Sequence, residues 1–383
     1  MMIIRGGAVY QKDRWEHDAD ILIEDGKILG IAPKGKYDGE QIIDASGCYV
    51  CPGFIDVHIH GCVGRDVMDG SVESLEEMAK FVASHGTTSF LATTTTSSRE
   101  ATRNSLKAVN DIMKKLYQGA EILGVHLEGP FINPGAKGAQ AEQYILPASR
   151  DGFVDLAGEY EGIIKRITMA PDVEGARELT EYLVSKGTVV SMGHTVASYE
   201  KCIEGIEWGM RHATHFYNAM TPLKHREPGA VGAFLERDDT TIELIADFVH
   251  VHPTALKIAI GLKGYDKVAL ITDSMAAAGM ADGEYYLGSE AVIVKDGVAR
   301  LKEGGNLAGS TLTQDQALRN MVSIGFALSD VVRMLTEVPA GIAGVSDYKG
   351  RIEKGYDADL VILDNELNVN RVFIRGNQYD ICS

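Results

Sequence analysis

The sequence predicts an α/β protein: a closed, parallel (β/α)8 barrel of the TIM type, with a small β-sandwich assembled from both ends of the chain. Three observations predict it. Eight short runs rich in apolar and β-branched residues recur between positions 54 and 273, most of them separated by helical periodicity. The first fifty residues and the last stretch read instead as strands joined by tight turns, with too few strands at either end for a separate core. Histidines and carboxylates stand at or just past the C-terminal ends of several central runs, the ends that a parallel barrel gathers around one mouth.

Residues 21–31 place two strands around Asp25-Gly26, a strong hairpin signal. The barrel strands are expected at 54–58, 87–93, 122–128, 166–170, 188–194, 213–216, 244–250 and 268–273. Leu75, Met78 and Val82 follow the three-then-four spacing of a helix face that stops at Gly86, and Leu179 and Leu183 repeat it before Gly187. Residues 221–239, Gly-rich with Pro222 and Pro228, read as a long loop over the mouth. A β-hairpin insertion is expected near 284–303, leaving the barrel after its eighth strand and extending the small β domain. Closing helices fall in 314–324 and 329–336, and strands return at 358–364 and 371–376. The expected division is 1–51 with 345–383 for the sandwich and 52–344 for the barrel.

Composition narrows the function. The 383 residues are 45% apolar and 24% charged, as in a globular protein, and a net charge of −17 argues against nucleic-acid binding. An anionic substrate stays compatible, because a pocket can be basic within an acidic molecule. The first residues show no secretory pattern, and no apolar run approaches the roughly 20 residues a membrane helix needs, so the expected location is cytoplasmic. Five scattered cysteines, Cys48, Cys51, Cys62, Cys202 and Cys382, do not make a disulfide framework. The CxxC spacing of Cys48 and Cys51 lies in an apolar run without a second pair, and buried thiols are the better reading.

In His58-Ile59-His60 the two imidazoles are two residues apart, so on a strand they face one side, beside Asp56. A structural pair is the plain alternative; a metal-ligating pair suits the position better. Glu128 ends an apolar run before Gly129-Pro130, where a carboxylate is costly to desolvate unless paired or coordinated. His126 alternates onto the same face one layer deeper, as support rather than ligand. His194 and His215 follow two further runs. Each alone is more often structural, but with Glu128 they make a two-histidine, one-carboxylate set with a position left for water. Such ligands suit zinc or ferrous iron. His212 reads as facing the opposite side of its strand and is left out. Asp273 ends the eighth run, where it can serve as general base; its alternative is a helix N-cap.

Residues 52–61, PGFIDVHIHG, and 350–364, GRIEKGYDADLVILD, resemble the opening and closing signatures of the amidohydrolase superfamily. Within it, HLEGPF at 126–131, GHT at 193–195, HFYNAM at 215–220 and TDSM at 272–275 resemble the N-acetylglucosamine-6-phosphate deacetylase family over essentially the whole chain. The resemblance implies release of acetate from N-acetyl-D-glucosamine 6-phosphate, in amino-sugar breakdown and cell-wall recycling, by an enzyme that is commonly a homodimer. It implies that Glu128, His194 and His215 hold a shared divalent metal, with Asp273 as base. Some relatives carry amides in place of the first-strand histidines. Since His58 and His60 are kept, the chain is expected to hold one or two zinc or iron ions, with Glu128 bridging a pair. Substrate positions carry over as Ala139, backbone N–H groups of Asn218 and Ala219, Arg226 for the phosphate, His250, and Leu307-Ala308-Gly309. Arg226 is otherwise a solvated loop cation. Gln140 stands where some relatives have histidine, which leaves that sugar contact open, and Lys165 begins its strand at the wrong end for a carboxylated-lysine bridge. The alternatives are the same chemistry on N-acetylgalactosamine 6-phosphate or a cyclic amide, and a non-catalytic barrel. The last expects a missing ligand or base, and none is missing.

Overall fold

The computed structural model describes residues 1–12 and 14–380; Cys382 lies outside the described residues. Eight central strands form one parallel sheet: Phe54–Ile59, Thr87–Thr94, Glu121–Glu128, Ile164–Met169, Val189–Met192, His212–Ala213, Thr241–Ile245 and Val268–Ile271. Nearly every residue in them is buried, as expected where one face fills the barrel and the other meets helices. A short seam joins the eighth strand to the first. There Ile59 bridges Ser274, the Asp273 N–H donates to His58 O at 2.9 Å, and Thr272 Oγ1 donates to Asp56 Oδ2 at 2.6 Å.

The helices follow their sequence signals. Val72–Ser84 is capped by Ser71, whose hydroxyl accepts the Ser74 N–H, and it buries Leu75, Met78 and Val82. Gly86, at φ +85°, turns the chain into the next strand. Ala176–Ser185 buries Leu179 and Leu183, and Gln314–Ser323, Leu328–Leu335 and Glu337–Ala343 close the barrel domain.

Four expectations need correction. The seventh strand is Thr241–Ile245, not 244–250: Asp247 Oδ1 accepts the N–H groups of Val249 and His250, and Phe248 has φ +65°, so this stretch is a side-chain-capped turn. The sixth strand keeps only His212–Ala213 in the ladder, because His215, Tyr217 and Ala219 all have positive φ. Within 221–239, Gly229–Glu236 is a helix rather than loop. Its glycines serve close packing: a Cβ on Gly232 would fall 2.4 Å from Pro228 Cβ. The insertion has three strands, Gly283–Leu287, Glu290–Lys295 and Val298–Leu301, and forms a sheet of its own that does not join the small β domain. Leu287, Val292, Val294 and Ala299 pack there on Met275, Ala276, Ala277 and Ala308, just past the eighth barrel strand.

Both termini enter one eight-stranded sheet. Arg14–Glu24 and Lys27–Pro33 meet at Asp25-Gly26, where both residues have positive φ, the conformation of a tight hairpin turn. Met2–Gln11 pairs in parallel first with Gln41–Asp44 and then with Tyr49 and Val50, changing partner across Gly6-Gly7, where the register shifts. That break lets the sheet fold around Ile4, Ile21, Ile28, Val50, Leu360 and Phe373, as a sandwich. Leu360–Leu363 pairs with Tyr49–Pro52 and so brings the C-terminal strands onto the N-terminal ones. Where this unit meets the foot of the barrel, Lys349 is buried among Asp359 at 2.6 Å, Glu121 at 2.8 Å and Asp357 at 3.0 Å. Among the described residues Cys51, Cys62 and Cys202 are buried, Cys48 is half-buried, and none is disulfide-bonded. Among the described residues no helix is long and apolar enough to cross a membrane.

Candidate active site and metal centre

Four imidazoles and two carboxylates converge at the barrel mouth. Glu128 Oε1 lies 3.3 Å from His194 Nε2, 3.2 Å from His215 Nε2 and 3.4 Å from His58 Nε2, while its Oε2 lies 3.3 Å from His60 Nε2. Asp273 Oδ1 lies 3.4 Å from His58 Nε2 and 3.3 Å from His60 Nε2. The ligand-type atoms form two compact groups, Glu128–His194–His215 and His58–His60–Asp273, each with its atoms within 4.8 Å of one another. All six residues are buried. His194, His215 and Asp273 leave their strands through left-handed backbone conformations, φ +49°, +29° and +48°, which turn successive side chains inward at the rim.

The far nitrogens of the rings show what the centre is built to hold. His60 Nδ1 faces Thr93 O at 3.2 Å, His194 Nδ1 faces Ala136 O at 2.9 Å, and His215 Nδ1 faces Asn218 O at 3.2 Å. Carbonyl oxygens only accept, so each Nδ1 carries a proton, and in the neutral ring that metal binding requires each Nε2 presents a lone pair. His58 Nδ1 meets the Glu243 carboxylate at 3.2 Å, with the same consequence. Yet His194 Nε2 and His215 Nε2 are 3.0 Å apart, and His58 Nε2 and His60 Nε2 are 3.3 Å apart. Lone pairs facing one another at that distance, among carboxylates, fit a divalent cation and nothing in the chain supplies one. Burial raises the Glu128 carboxyl, and positive charge at the surrounding His58, His194, His215 and His60 is what holds it well below the usual carboxylate range; with the rings neutral, a bound cation would supply that charge. Burial also works against ionised Asp273, and the same positive charge, at His58, His60 and His215, is what lowers its pKa.

Asp56 is not in this set. Its carboxyl is turned to Thr272 and to the His58 N–H, and burial pushes it up to about 7. His126 lies under the centre with Nε2 on Thr168 Oγ1 at 2.7 Å and Nδ1 on Thr93 Oγ1 at 3.3 Å, its ring edge-on to His58. His212 is buried, with Nδ1 on Thr241 Oγ1 at 2.6 Å and Nε2 3.5 Å from Glu243 Oε1, away from both ligand groups. Sequence reasoning missed Glu243 and Arg166. Arg166 is completely buried and donates to Glu243 Oε1, to Ser191 Oγ at 2.7 Å and to Val57 O at 3.2 Å. Glu243 in turn orients His58 and accepts the His215 N–H at 3.0 Å. The signal was present: each is a charge in mid-strand among apolar residues, where it is costly if buried without a partner.

The expected substrate positions are distributed around this centre. His250 is held by Asp247, Nδ1 to Oδ2 at 2.6 Å, and shares a cavity of about 330 Å³ with Leu307, Gly309 and Ser310. Gly309 has φ +61°, and a Cβ there would press on Asp273 O at 3.1 Å, so that close approach to the base needs glycine. Ala308 is buried, and Ala139 packs beneath the insertion sheet. The Asn218 backbone N–H donates to His215 O at 2.9 Å, closing the tight turn that aims His215. Among the described residues the Ala219 N–H has no such partner, while Ala219 O accepts the Thr195 N–H at 3.1 Å. Arg226 is exposed, with its neighbour His225 at 2.7 Å, and reaches none of these groups within its own chain. Lys165 is exposed near the start of its strand, far from the mouth.

A family model described as "Amidohydrolase family" matches residues 49–379. The N-acetylglucosamine-6-phosphate deacetylase of Bacillus subtilis (strain 168) is 38% identical, over 98% of this chain and 96% of its own. The N-acetylgalactosamine-6-phosphate deacetylase of Escherichia coli O157:H7 is 34% identical, over 98% of each chain. Among solved structures, N-acetylglucosamine-6-phosphate deacetylase from Thermotoga maritima superposes with a TM-score of 0.89 at 37% identity, covering 99% of both chains. A mutant of the Mycobacterium smegmatis enzyme in complex with N-acetyl-D-glucosamine-6-phosphate does so with 0.92 at 29% identity, again over 99% of both chains. With the barrel, the paired ligand groups and these likenesses in place, the chain belongs to the amidohydrolase family, in its N-acetylglucosamine-6-phosphate deacetylase branch.

Proposed function

We propose that this chain hydrolyses N-acetyl-D-glucosamine 6-phosphate to D-glucosamine 6-phosphate and acetate, in amino-sugar catabolism and cell-wall recycling in the cytoplasm. The observation that carries the reading is the convergence of four histidine Nε2 atoms and two carboxylates at the barrel mouth. Glu128, His194 and His215 are the ligands we assign to the first ion, zinc or iron, and His58 and His60 with Asp273 to a second, with Glu128 between them. A bound divalent ion lowers the pKa of water from about 15.7 to about 7 and polarises the amide carbonyl.

The protein's own groups do the rest. Asp273 accepts the water proton as the oxygen attacks the acetyl carbon, then returns it to the sugar nitrogen as the C–N bond breaks. The Ala219 N–H, Ala139, Asn218, His250 and the backbone at Leu307, Ala308 and Gly309 are the sugar contacts, and they exclude water on the side roofed by the insertion. Arg226 is the phosphate ligand, and since it reaches nothing in its own pocket we assign it to the neighbour's site in a homodimer. Remote phosphate binding orients the amide and offsets the entropy of bringing two reactants together. The division into 1–51 with 345–383 and 52–344 is kept as the proposed domain organisation.

Acetate release from N-acetylated glucosamine and galactosamine, each with and without 6-phosphate, tests the substrate. The glucosamine 6-phosphate is expected to lead the panel; preference for the galactosamine epimer, suggested by the 34% relative, would move the assignment to that sugar. Elemental analysis after reconstitution with excess Zn2+ or Fe2+ tests the second site. Two ions are expected, falling to one when His58→Gln is combined with His60→Asn; a firm value of one in both proteins removes it.

A further inference from the structure

We infer that Gln140 is a positioning residue for Glu128: it holds the carboxylate so that one oxygen faces each ligand group. The side chain is buried between two partners. The Thr96 backbone N–H donates to Gln140 Oε1 at 2.6 Å, and Gln140 Nε2 donates to Glu128 Oε2 at 2.6 Å. A backbone N–H can only donate, so the amide oxygen must face Thr96 and the NH2 must face Glu128. The amide therefore has one orientation. It cannot turn its oxygen toward the metal centre without stranding the Thr96 N–H.

With the rings neutral, as metal binding requires, the nitrogens around Glu128 present lone pairs and donate nothing to it. The Gln140 NH2 is thus a fixed proton donor on its Oε2, and that donor sets the plane of the carboxylate. Oε1 is left toward His194, His215 and His58, and Oε2, with one lone pair occupied, still lies 3.3 Å from His60 Nε2. The loop that carries Gln140 is itself fixed to the centre. The Gln140 N–H donates to Lys137 O at 2.9 Å, and Ala136 O, in the same loop, accepts from His194 Nδ1 at 2.9 Å. One short segment therefore orients both a carboxylate and an imidazole of the same ligand group. Removing the donor frees Glu128 to rotate, and the effect is expected in metal affinity before it is seen in substrate affinity.

The inference rests on Glu128 being a metal ligand, and the test separates the two ideas. Zn2+ affinity is measured by competition with a chelator for wild type, Gln140→Met and Gln140→Asn. Methionine keeps the length and loses both hydrogen bonds; asparagine keeps a buried amide but is too short to span both partners, and it decides the matter if the methionine variant does not fold. We expect Zn2+ binding to weaken by about 10- to 100-fold in Gln140→Met, the usual scale for a group that orients a ligand, and measurably in Gln140→Asn. At saturating Zn2+ the KM for the phosphosugar should stay close to wild type. Unchanged Zn2+ affinity with a raised KM overturns the inference and makes Gln140 a sugar contact. A wild-type protein without appreciable Zn2+ affinity would instead overturn the metal reading of Glu128.

Discussion

Two glutamates at the two ends of one barrel strand have opposite surroundings. Glu121 opens the strand Glu121–Glu128 at the foot, where Lys349 reaches it at 2.8 Å and Arg375 pairs with it as well. Glu128 closes the same strand at the mouth, where its neighbours are Nε2 atoms whose protons sit on the far side of the ring. At the foot the chain supplies the cations for its buried carboxylates, and the cluster joins the small β unit to the barrel. At the mouth it supplies acceptors and withholds the cation. Buried charge that is internally neutralised holds structure together, whereas buried acceptors aimed at one another reserve a place for an ion from outside.

The comparison breaks first if the mouth proves structural. Asp273→Asn should lower kcat by about 100- to 10,000-fold, the span for a lost general acid–base group, with thermal stability near wild type. Near-normal turnover in the metal-loaded variant would remove Asp273 from that role. The foot should respond the other way. Lys349→Met leaves Glu121, Asp357 and Asp359 facing one another without their shared cation, at a cost of about 3–5 kcal/mol in stability. The folded fraction should keep wild-type kcat at a temperature well below its Tm; a variant as stable as wild type shows that the cluster does not join the two units.

Arg226→Ala belongs to neither cluster. Exposed in the folded chain, it should leave Tm unchanged while kcat/KM on the 6-phosphate falls by roughly 10- to 1000-fold, or about 1.4 to 4 kcal/mol. Hardly any change is expected on the unphosphorylated sugar. An equal fall on both sugars assigns Arg226 to loop support. Mixing Arg226→Ala with Asp273→Asn chains should restore some activity if the arginine serves its neighbour. The smallest effect is a pH dependence at the foot. Burial lowers the Lys349 pKa, but Asp359 and Glu121 outweigh it and the net shift is upward. A raised folded-state pKa means stability fully present below the unfolded value of about 10.4 and lost as pH climbs through the folded one. Wild type should therefore lose Tm more steeply than Lys349→Met above about pH 10.5. Parallel curves would show that Lys349 adds nothing there.

The barrel and the ligand histidines were legible because each carries a local contradiction: a polar residue ending an apolar run, with a turn immediately after. His58, Glu128, His194, His215 and Asp273 all have that signature, and the structure brings them together. Glu243 and Arg166 carry the same contradiction in mid-strand, but their meaning depends on strands that meet only in the closed barrel. The seventh strand was set too late because Phe248 and Val249 extend the apolar texture past Ile245, while the Asp247 side chain ends the strand. The helix at Gly229–Glu236 was missed because its glycines have the composition of a loop and the function of close packing. For Gln140, no property of the residue itself points to Glu128; only the folded loop aims it there.

The seam that closes the barrel also sets an order on assembly. Asp56 and Thr272, bonded across it, are 216 residues apart in the chain, and the His58–His60–Asp273 group lies on the same seam. Bringing such distant segments together carries a large loop-closure entropy, and contacts of that range form late. The Glu128–His194–His215 group draws on the third, fifth and sixth strands, none of which lies at the seam. The second ligand group therefore exists only where the last strand has docked on the first, and its occupancy by a metal would report that the barrel is closed.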